Sequence, residues 1–577
     1  LAYQYQGHTG RRIVWINIGV IALGLVVVIR LFQLQVASHN QYLASAASQQ
    51  SRKFIVPANR GEIFVHDGSD TTPIALNQTL GLLYGDPSEI KDAAATAQAL
   101  AVITGDKASD YLADLQKGGS YQVLKQKIPQ DQVDKINNLG LVGIGITNQS
   151  YRVYPEGSLA SQLLGFVNAS GVGQYGVEGY LNSDLGGTPG LLKVKTDTLG
   201  NPIAIANSVD KPAVDGKSYV LTIDRNIQAE VEKELAAGVQ SNHAVSGSAV
   251  VVDPNTGAVL AMANYPTYDP NNYGAVTDYS VFSNDVVSDN FEPGSGFKVF
   301  TMTAGLATGK VTPTTTYDDT GSFVVDGRTI NNASNEQFGT QTMIDVIQKS
   351  LNTGAMFVLR MLGGDVNTIN LAGKKVLYGY IKKFGFGLPT GIEQADEASG
   401  IVNAPSNVSG NDVNYANMTF GQGISITMIQ MVMAISAIAN GGTLYQPHVV
   451  DKEIDPNGKT TIVQSHVVTS HLVTSAVSKE LTNMMIQVVQ HGSGYLAKLP
   501  GYDVAGKTGT AQVPLANGQG YNPNANIGSF VGYAPAYAPK FVLMVRINEP
   551  QTSGFAESTT VPVFAAISKW LLQYEQV

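Results

Sequence analysis

Phe291-Glu292-Pro293-Gly294-Ser295-Gly296-Phe297-Lys298-Val299-Phe300 is the stretch around which the 577-residue chain is organised. Pro-Gly reads as a turn, and the apolar residues after it read as a helix start. Ser295 then sits at or near a helix N-terminus, with Lys298 one turn on. Positions i and i+3 share a helix face, so the hydroxyl and the amine can meet. A serine is a poor nucleophile until a base takes its proton. A lysine serves as that base when burial disfavours its ammonium form. The helix N-terminus also favours negative charge developing on the serine oxygen.

Ser-x-x-Lys alone is a weak pattern, and the chain contains it three times: at Ser88–Lys91, Ser208–Lys211 and Ser295–Lys298. The first opens an Ala-rich helix expected over 86–104 and ended by Gly105. The second lies in a polar stretch beside Pro212. Both read as structural. Two later patterns single out the third. Ser350-Leu351-Asn352 follows an apolar helix expected over 343–347, and Lys507-Thr508-Gly509-Thr510-Ala511-Gln512-Val513 has strand character. Ser-x-Asn recurs at Ser38, Ser288 and Ser409. Ser409 is the serious rival, since it also lies between Lys298 and Lys507. It sits in a Gly/Asn/Ser-rich loop, whereas Ser350 has a rigid support. Residues 501–508 also fit the P-loop spacing, with Ala249-Val250-Val251-Val252-Asp253 as a possible magnesium strand. A P-loop must open a helix, and Gly509, Thr510, Val513 and Pro514 are poor helix formers, so the nucleotide reading fails.

Length implies two or three domains. The formal charge of 36 − 45 = −9 argues against a nucleic-acid surface. There is no cysteine, and the eight histidines show no metal-binding spacing, so neither metal nor cofactor is implied. Residues 13–36 are apolar apart from positions such as Asn17 and Arg30, and read as a membrane-spanning anchor. A buried core helix and a cleaved signal peptide, with Ala44-Ser45-Ala46 nearby, are the rival readings. Arg11 and Arg12 place residues 1–12 inside, with everything after the anchor outside the cytoplasm. Residues 40–50 read as a helical stalk. Residues 37–215 show a mixed helix and strand pattern with no catalytic constellation. A composition change at 210–216 marks a boundary, and 216–577 forms a second region. There the signals predict a strand over 219–223 and a helix over 225–238. A hairpin of 246–252 with 258–263 turns on Asp253-Pro254-Asn255-Thr256-Gly257. Antiparallel strands over 527–533 and 540–547 follow, then a helix over 563–574.

In this order, Ser-x-x-Lys, Ser-x-Asn and Lys-Thr-Gly mark penicillin-binding proteins and serine β-lactamases. The chain resembles the class B, monofunctional penicillin-binding proteins. Arg60-Gly61-Glu62-Ile63, Arg152-Val153-Tyr154-Pro155, Leu164-Gly165-Phe166-Val167 and Gly176-Val177-Glu178-Gly179 resemble their N-terminal module. Asp253–Gly257, Glu292–Ser295, Lys507–Gln512 and Phe530-Val531-Gly532-Tyr533-Ala534-Pro535 resemble their transpeptidase domain. One departure is His66-Asp67-Gly68-Ser69, where the family usually has an Asp-Arg-Asn-Gly-like run.

The resemblance implies an α/β (α+β) fold. A transpeptidase domain over 216–577 has an antiparallel sheet flanked by helices, preceded by a mixed pedestal or dimerisation-like module over 37–215. It implies a serine-type D-Ala-D-Ala transpeptidase cross-linking peptidoglycan stem peptides, and acylation by β-lactams. Ser295 is then the nucleophile and Lys298 its base. Ser350 relays a proton, and Asn352 holds the acyl chain and the Lys298 amine. Lys507, Thr508, Gly509 and Thr510 bind the substrate carboxylate, and the backbone N–H groups of Ser295 and Thr510 form the oxyanion hole. A membrane glycan polymerase of the shape, elongation, division and sporulation type is the expected partner. Chain length and the ending at Val577 favour division over elongation. The alternatives are a non-catalytic scaffold and a β-lactamase-like hydrolase.

Overall fold

The computed structural model describes residues 9–43, 51–195, 208–333, 336–514 and 520–577. The chain forms two units, one from residues 1–59 and 187–215 and the other from 60–186 and 216–577.

In the first unit, the Thr9–Phe32 helix runs on into a π-helical turn at Gln33–Ala37. The 28 residues Gly10–Ala37 have a mean hydropathy of 2.4 in their most apolar window. At about 1.5 Å per residue they are long enough to cross a bilayer. Residues 39–43 are helical, and the rest of the expected stalk lies outside the described residues. The strands Ser51–Val56, Gly190–Lys195 and Ser208–Lys211 pair antiparallel as a three-stranded sheet.

The larger unit is built on a five-stranded antiparallel sheet in the order Val259–Tyr265, Ser246–Val252, Phe541–Asn548, Tyr521–Ala534, Ala505–Pro514. Both of its faces are covered, which explains why its strands read as nearly continuous apolar runs. Successive side chains alternate between the faces. Ala249, Val251, Leu543 and Val545 pack with Val231, Leu235, Phe564 and Ile567 of the Arg225–Ser241 and Ala556–Tyr574 helices. Val250, Val252, Val542 and Met544 belong to the other core, with Phe297, Phe300 and the Met428–Ala439 helix. That helix is buried from Met428 to Ile438, as an apolar pattern on all sides requires. The hairpin turns at Asp253, whose carboxylate accepts from Asn255 N at 2.9 Å and Thr256 Oγ1 at 2.7 Å.

The N-terminal part of this unit hangs on the 16-residue strand Asp70–Gly85, which pairs with Ile63–Asp67, Gln122–Ile128 and Ile144–Val153. Ile63–Asp67 also pairs, in parallel, with Ser218–Asp224. The expected helix over 86–104 starts later, at Ala93. Asp86 takes Ser88 N at 2.9 Å and Ser88 Oγ at 2.5 Å, closing a turn that leaves Asp92 to cap the helix through Ala95 N. Gly105 ends it in the left-handed region. Three of the N-terminal motifs meet at one point. Glu178, fully buried, accepts from Arg60 Nε at 2.7 Å, Arg152 Nε at 2.6 Å and Tyr154 Oη at 3.3 Å.

Candidate active site

Gly294–Phe297 forms a 3-10 turn that leads into the Lys298–Ala307 helix, whose residues Lys298–Leu306 are all buried. Ser295 is thus held at the head of a core helix. Gly294 has a φ of 54°, and a Cβ there would lie 2.5 Å from the Thr510 carbonyl oxygen. Only glycine lets the turn sit directly on the Ala505–Pro514 strand in that conformation. Gly509 meets the turn from the other side. A Cβ on it would lie 2.6 Å from the Pro293 carbonyl oxygen and 2.4 Å from Ser529 Oγ. The serine can rotate away, but the carbonyl cannot. Gly509→Ala should therefore push the strand off the turn that carries Ser295. We expect about tenfold or greater slowing of Ser295 acylation and a loss of about 1–3 kcal/mol in unfolding free energy. Stopped-flow acylation and denaturant unfolding measure the two effects.

Lys298 Nζ lies 2.7 Å from Ser295 Oγ, 2.7 Å from Ser350 O and 3.1 Å from Ser350 Oγ. Burial, and then the nearby Lys507 charge, hold the Lys298 amine well below the usual lysine range. A neutral amine has two N–H donors and one lone pair. Ser350 O and Oγ take the two donors, leaving the lone pair for the Ser295 hydroxyl. Ser350 has a φ of 58°, a conformation that costs a non-glycine residue about 1–2 kcal/mol. It follows the Met343–Gln348 helix, and its carbonyl and hydroxyl both reach the same amine.

Lys507 is also fully buried, and burial brings its amine down to about 7. Its Nζ donates to Ser350 Oγ at 3.1 Å and Thr508 O at 3.1 Å. Ser350 Oγ thus faces both amines. Thr508 Oγ1 lies 2.7 Å from Ser493 Oγ. Asn352 departs from expectation. Its Nδ2 donates to Asn331 O at 2.9 Å, and the Lys298 amine is held by Ser350 instead. The Asn352–Leu362 helix begins at Asn352, with Thr353 Oγ1 donating to buried Asp319 at 2.7 Å. The side chain is thereby aimed at the 328–331 strand rather than back at Lys298.

A cleft of about 430 Å³ opens over this cluster, and Ser295, Ser350, Asn352, Thr508 and Thr510 all line it. Phe420, Gln422, Ser493, Phe555 and Glu557 line it too, and the motifs did not point to them. The one signal for the first two is Gly421-Gln422-Gly423, in which Gly421 packs directly on Gly294 and Gly423 on Asn414, contacts that need the whole fold to be seen. The rivals are elsewhere. Ser409 is exposed outside the cleft, and Ser88 is engaged by Asp86. The strand Ala505–Pro514 runs straight through Lys507, so no P-loop helix opens there.

Comparison with known proteins bears on the chemistry of this cleft. Residues 247–569 match the penicillin binding protein transpeptidase domain family, and residues 55–221 the penicillin-binding protein dimerisation domain family. The chain is 32% identical over 566 residues to stage V sporulation protein D of Bacillus subtilis, covering 97% of this chain and 85% of that protein. It is 31% identical over 556 residues to the peptidoglycan D,D-transpeptidase FtsI of Escherichia coli, covering 94% and 88%. Among solved structures, penicillin binding protein 2X of Streptococcus thermophilus superposes with a TM-score of 0.73 at 27% identity, covering 90% of this chain and 80% of that one. Penicillin binding protein 3 of Mycobacterium tuberculosis, complexed with aztreonam, superposes with a TM-score of 0.70 at 27% identity, covering 91% and 98%.

Proposed function

The chain belongs to the class B penicillin-binding proteins, and from that membership we propose how its residues carry out a serine peptidoglycan D,D-transpeptidase reaction. The observation that carries the reading is the buried Lys298 amine, 2.7 Å from both Ser295 Oγ and the Ser350 carbonyl oxygen and 3.1 Å from Ser350 Oγ.

The substrate is a stem peptide ending in D-Ala-D-Ala, and its terminal carboxylate binds Lys507 and the hydroxyls of Thr508 and Thr510. Gly509 lets that strand lie close to the nucleophile. Lys298 takes the Ser295 proton as Oγ attacks the penultimate carbonyl. The backbone N–H groups of Ser295 and Thr510 receive the oxyanion, where one donor is worth about 3 kcal/mol. Ser350 passes the proton from Lys298 to the leaving nitrogen, and D-alanine departs. Asn352 leaves the Asn331 carbonyl to hold the acyl chain. A neighbouring stem-peptide amine then attacks the acyl carbonyl and the ester bond to Ser295 breaks. A β-lactam presents the same target and leaves a lasting adduct.

Residues 13–36 anchor the chain in the cytoplasmic membrane, with 1–12 on the cytoplasmic side and the bulk outside. Residues 37–215 act as a pedestal, 216–577 as the transpeptidase domain, and a glycan polymerase in the membrane is the partner. The support is the apolar span Gly10–Ala37 and the basic pair Arg11 and Arg12 at its N-terminal end.

Intact-mass analysis after incubation with a fluorescent penicillin tests the core of this. We expect one adduct per chain, lost in Ser295→Ala. A folded wild type that gives no adduct would overturn the mechanism.

A further inference from the structure

Among its described lining residues, the cleft holds one acidic group that the mechanism does not use. Glu557 is the only ionisable acid among its described lining residues, and it is exposed to the cleft solvent. No hydrogen bond or ion pair engages it among the described residues. The nearby Glu292 is different, since Gly423 N at 2.7 Å and Tyr521 Oη at 3.0 Å occupy it. The backbone of Glu557 is fixed. It lies in the first turn of the Ala556–Tyr574 helix, which Phe564, Ile567 and Leu571 root in the core. Ala556 N donates to Thr510 Oγ1 at 3.4 Å, so this turn sits against the substrate strand.

A carboxylate there repels the substrate's terminal carboxylate, which Lys507 and Thr508 can receive. It attracts a cation. Building on the transpeptidase reading, we propose that Glu557 is a specificity-determining residue that draws the acceptor amine into the cleft as its ammonium. An alkyl ammonium holds its proton well above neutral pH, so this is the form in which the acceptor arrives. The ammonium gives one proton to solvent. The amine nitrogen then bonds to the acyl carbonyl carbon and passes a second proton to Lys298. As the bond from that carbon to Ser295 Oγ breaks, Lys298 returns that proton to Oγ. Glu557 takes no part in the bond changes. Its contribution is to raise the local concentration of acceptor relative to water.

The test uses the full chain in detergent, an N-acetylated D-peptide thioester as donor and Nα-acetyl-lysinamide, whose side-chain amine is an alkyl amine, as acceptor. Wild type, Glu557→Gln and Glu557→Lys are compared after penicillin adduct formation has shown each to be folded. We expect the ratio of aminolysis to hydrolysis at low acceptor to fall about fivefold in Glu557→Gln and further in Glu557→Lys. The change should appear in the acceptor KM rather than in kcat. Added salt should raise the wild-type acceptor KM and leave that of Glu557→Gln nearly flat. An acceptor KM unchanged in both variants overturns the proposal. So does a selective loss of hydrolysis, which would make Glu557 a water-activating base of the β-lactamase kind. Absence of any penicillin adduct on wild type strikes instead at the transpeptidase reading beneath it.

Discussion

Lys298→Met acylates with a β-lactam about ten-thousand-fold more slowly than wild type, and the variant stays folded. The size follows from the role, since a positioned base contributes about 10²–10⁴-fold. Among the described residues no second amine hydrogen-bonds to the serine oxygen, since Lys507 donates to Ser350 and Thr508. Methionine fills nearly the same buried volume without a proton acceptor. Stopped-flow fluorescence with a labelled penicillin measures the rate, and a residual rate within tenfold of wild type would rule out Lys298 as the base. The pH profile of wild type is a second readout. Burial lowers both amines, Lys298 strongly and Lys507 to about 7. The second-order acylation constant should fall as pH rises through about 7, because free Lys507 loses the charge that meets the substrate carboxylate. At saturating substrate that limb moves upward, since a bound carboxylate favours the protonated amine. The sign for stability is opposite to that of a salt-bridged lysine. Each folded-state pKa lies below its unfolded value, so the unfolded chain binds more protons and stability rises with pH between the two. Lys298→Met removes its share of that slope.

Legibility in the sequence followed how local each signal was. The helix at 298–307, the hairpin at 246–265 and the strand through Lys507 were readable because turn residues and apolar periodicity act within about ten positions. The choice of Ser350 over Ser409 could also be argued from its supporting helix. The start of the Ala93–Thr104 helix was misplaced because two aspartates compete, and Asp86 spends its carboxylate on a turn. The fate of Asn352 was not readable. Its partner Asn331 is 21 positions away, and Thr353 and Asn332 around buried Asp319 set its direction. Nor were Phe420, Ser493 and Glu557 readable as cleft residues, since each comes from a different element meeting only in space. The three N-terminal motifs were visible as separate fragments. Their common cause, one buried carboxylate between two guanidinium groups, exists only in three dimensions.

That carboxylate carries the second large expectation. Glu178→Ala should lower the unfolding free energy of the larger unit by about 3–5 kcal/mol, read as a fall in the denaturant midpoint. Glu178 is fully buried, with Arg60 and Arg152 also shielded and one Arg152 nitrogen without a partner among the described residues. Removing the anion leaves two guanidinium groups facing each other out of water, which is far worse than losing one contact. The triple variant Arg60→Met, Arg152→Met, Glu178→Met removes all three charges at similar volume, and should lose much less than the single change. If the triple loses as much as the single, packing rather than charge explains the effect. A loss below about 1 kcal/mol in Glu178→Ala would mean that water reaches the site and screens it. Acylation of the folded fraction at low temperature should be preserved, because none of these side chains lines the cleft over Ser295. Arg60, Arg152 and Glu178 therefore act together as a structural clasp, apart from the cleft over Ser295.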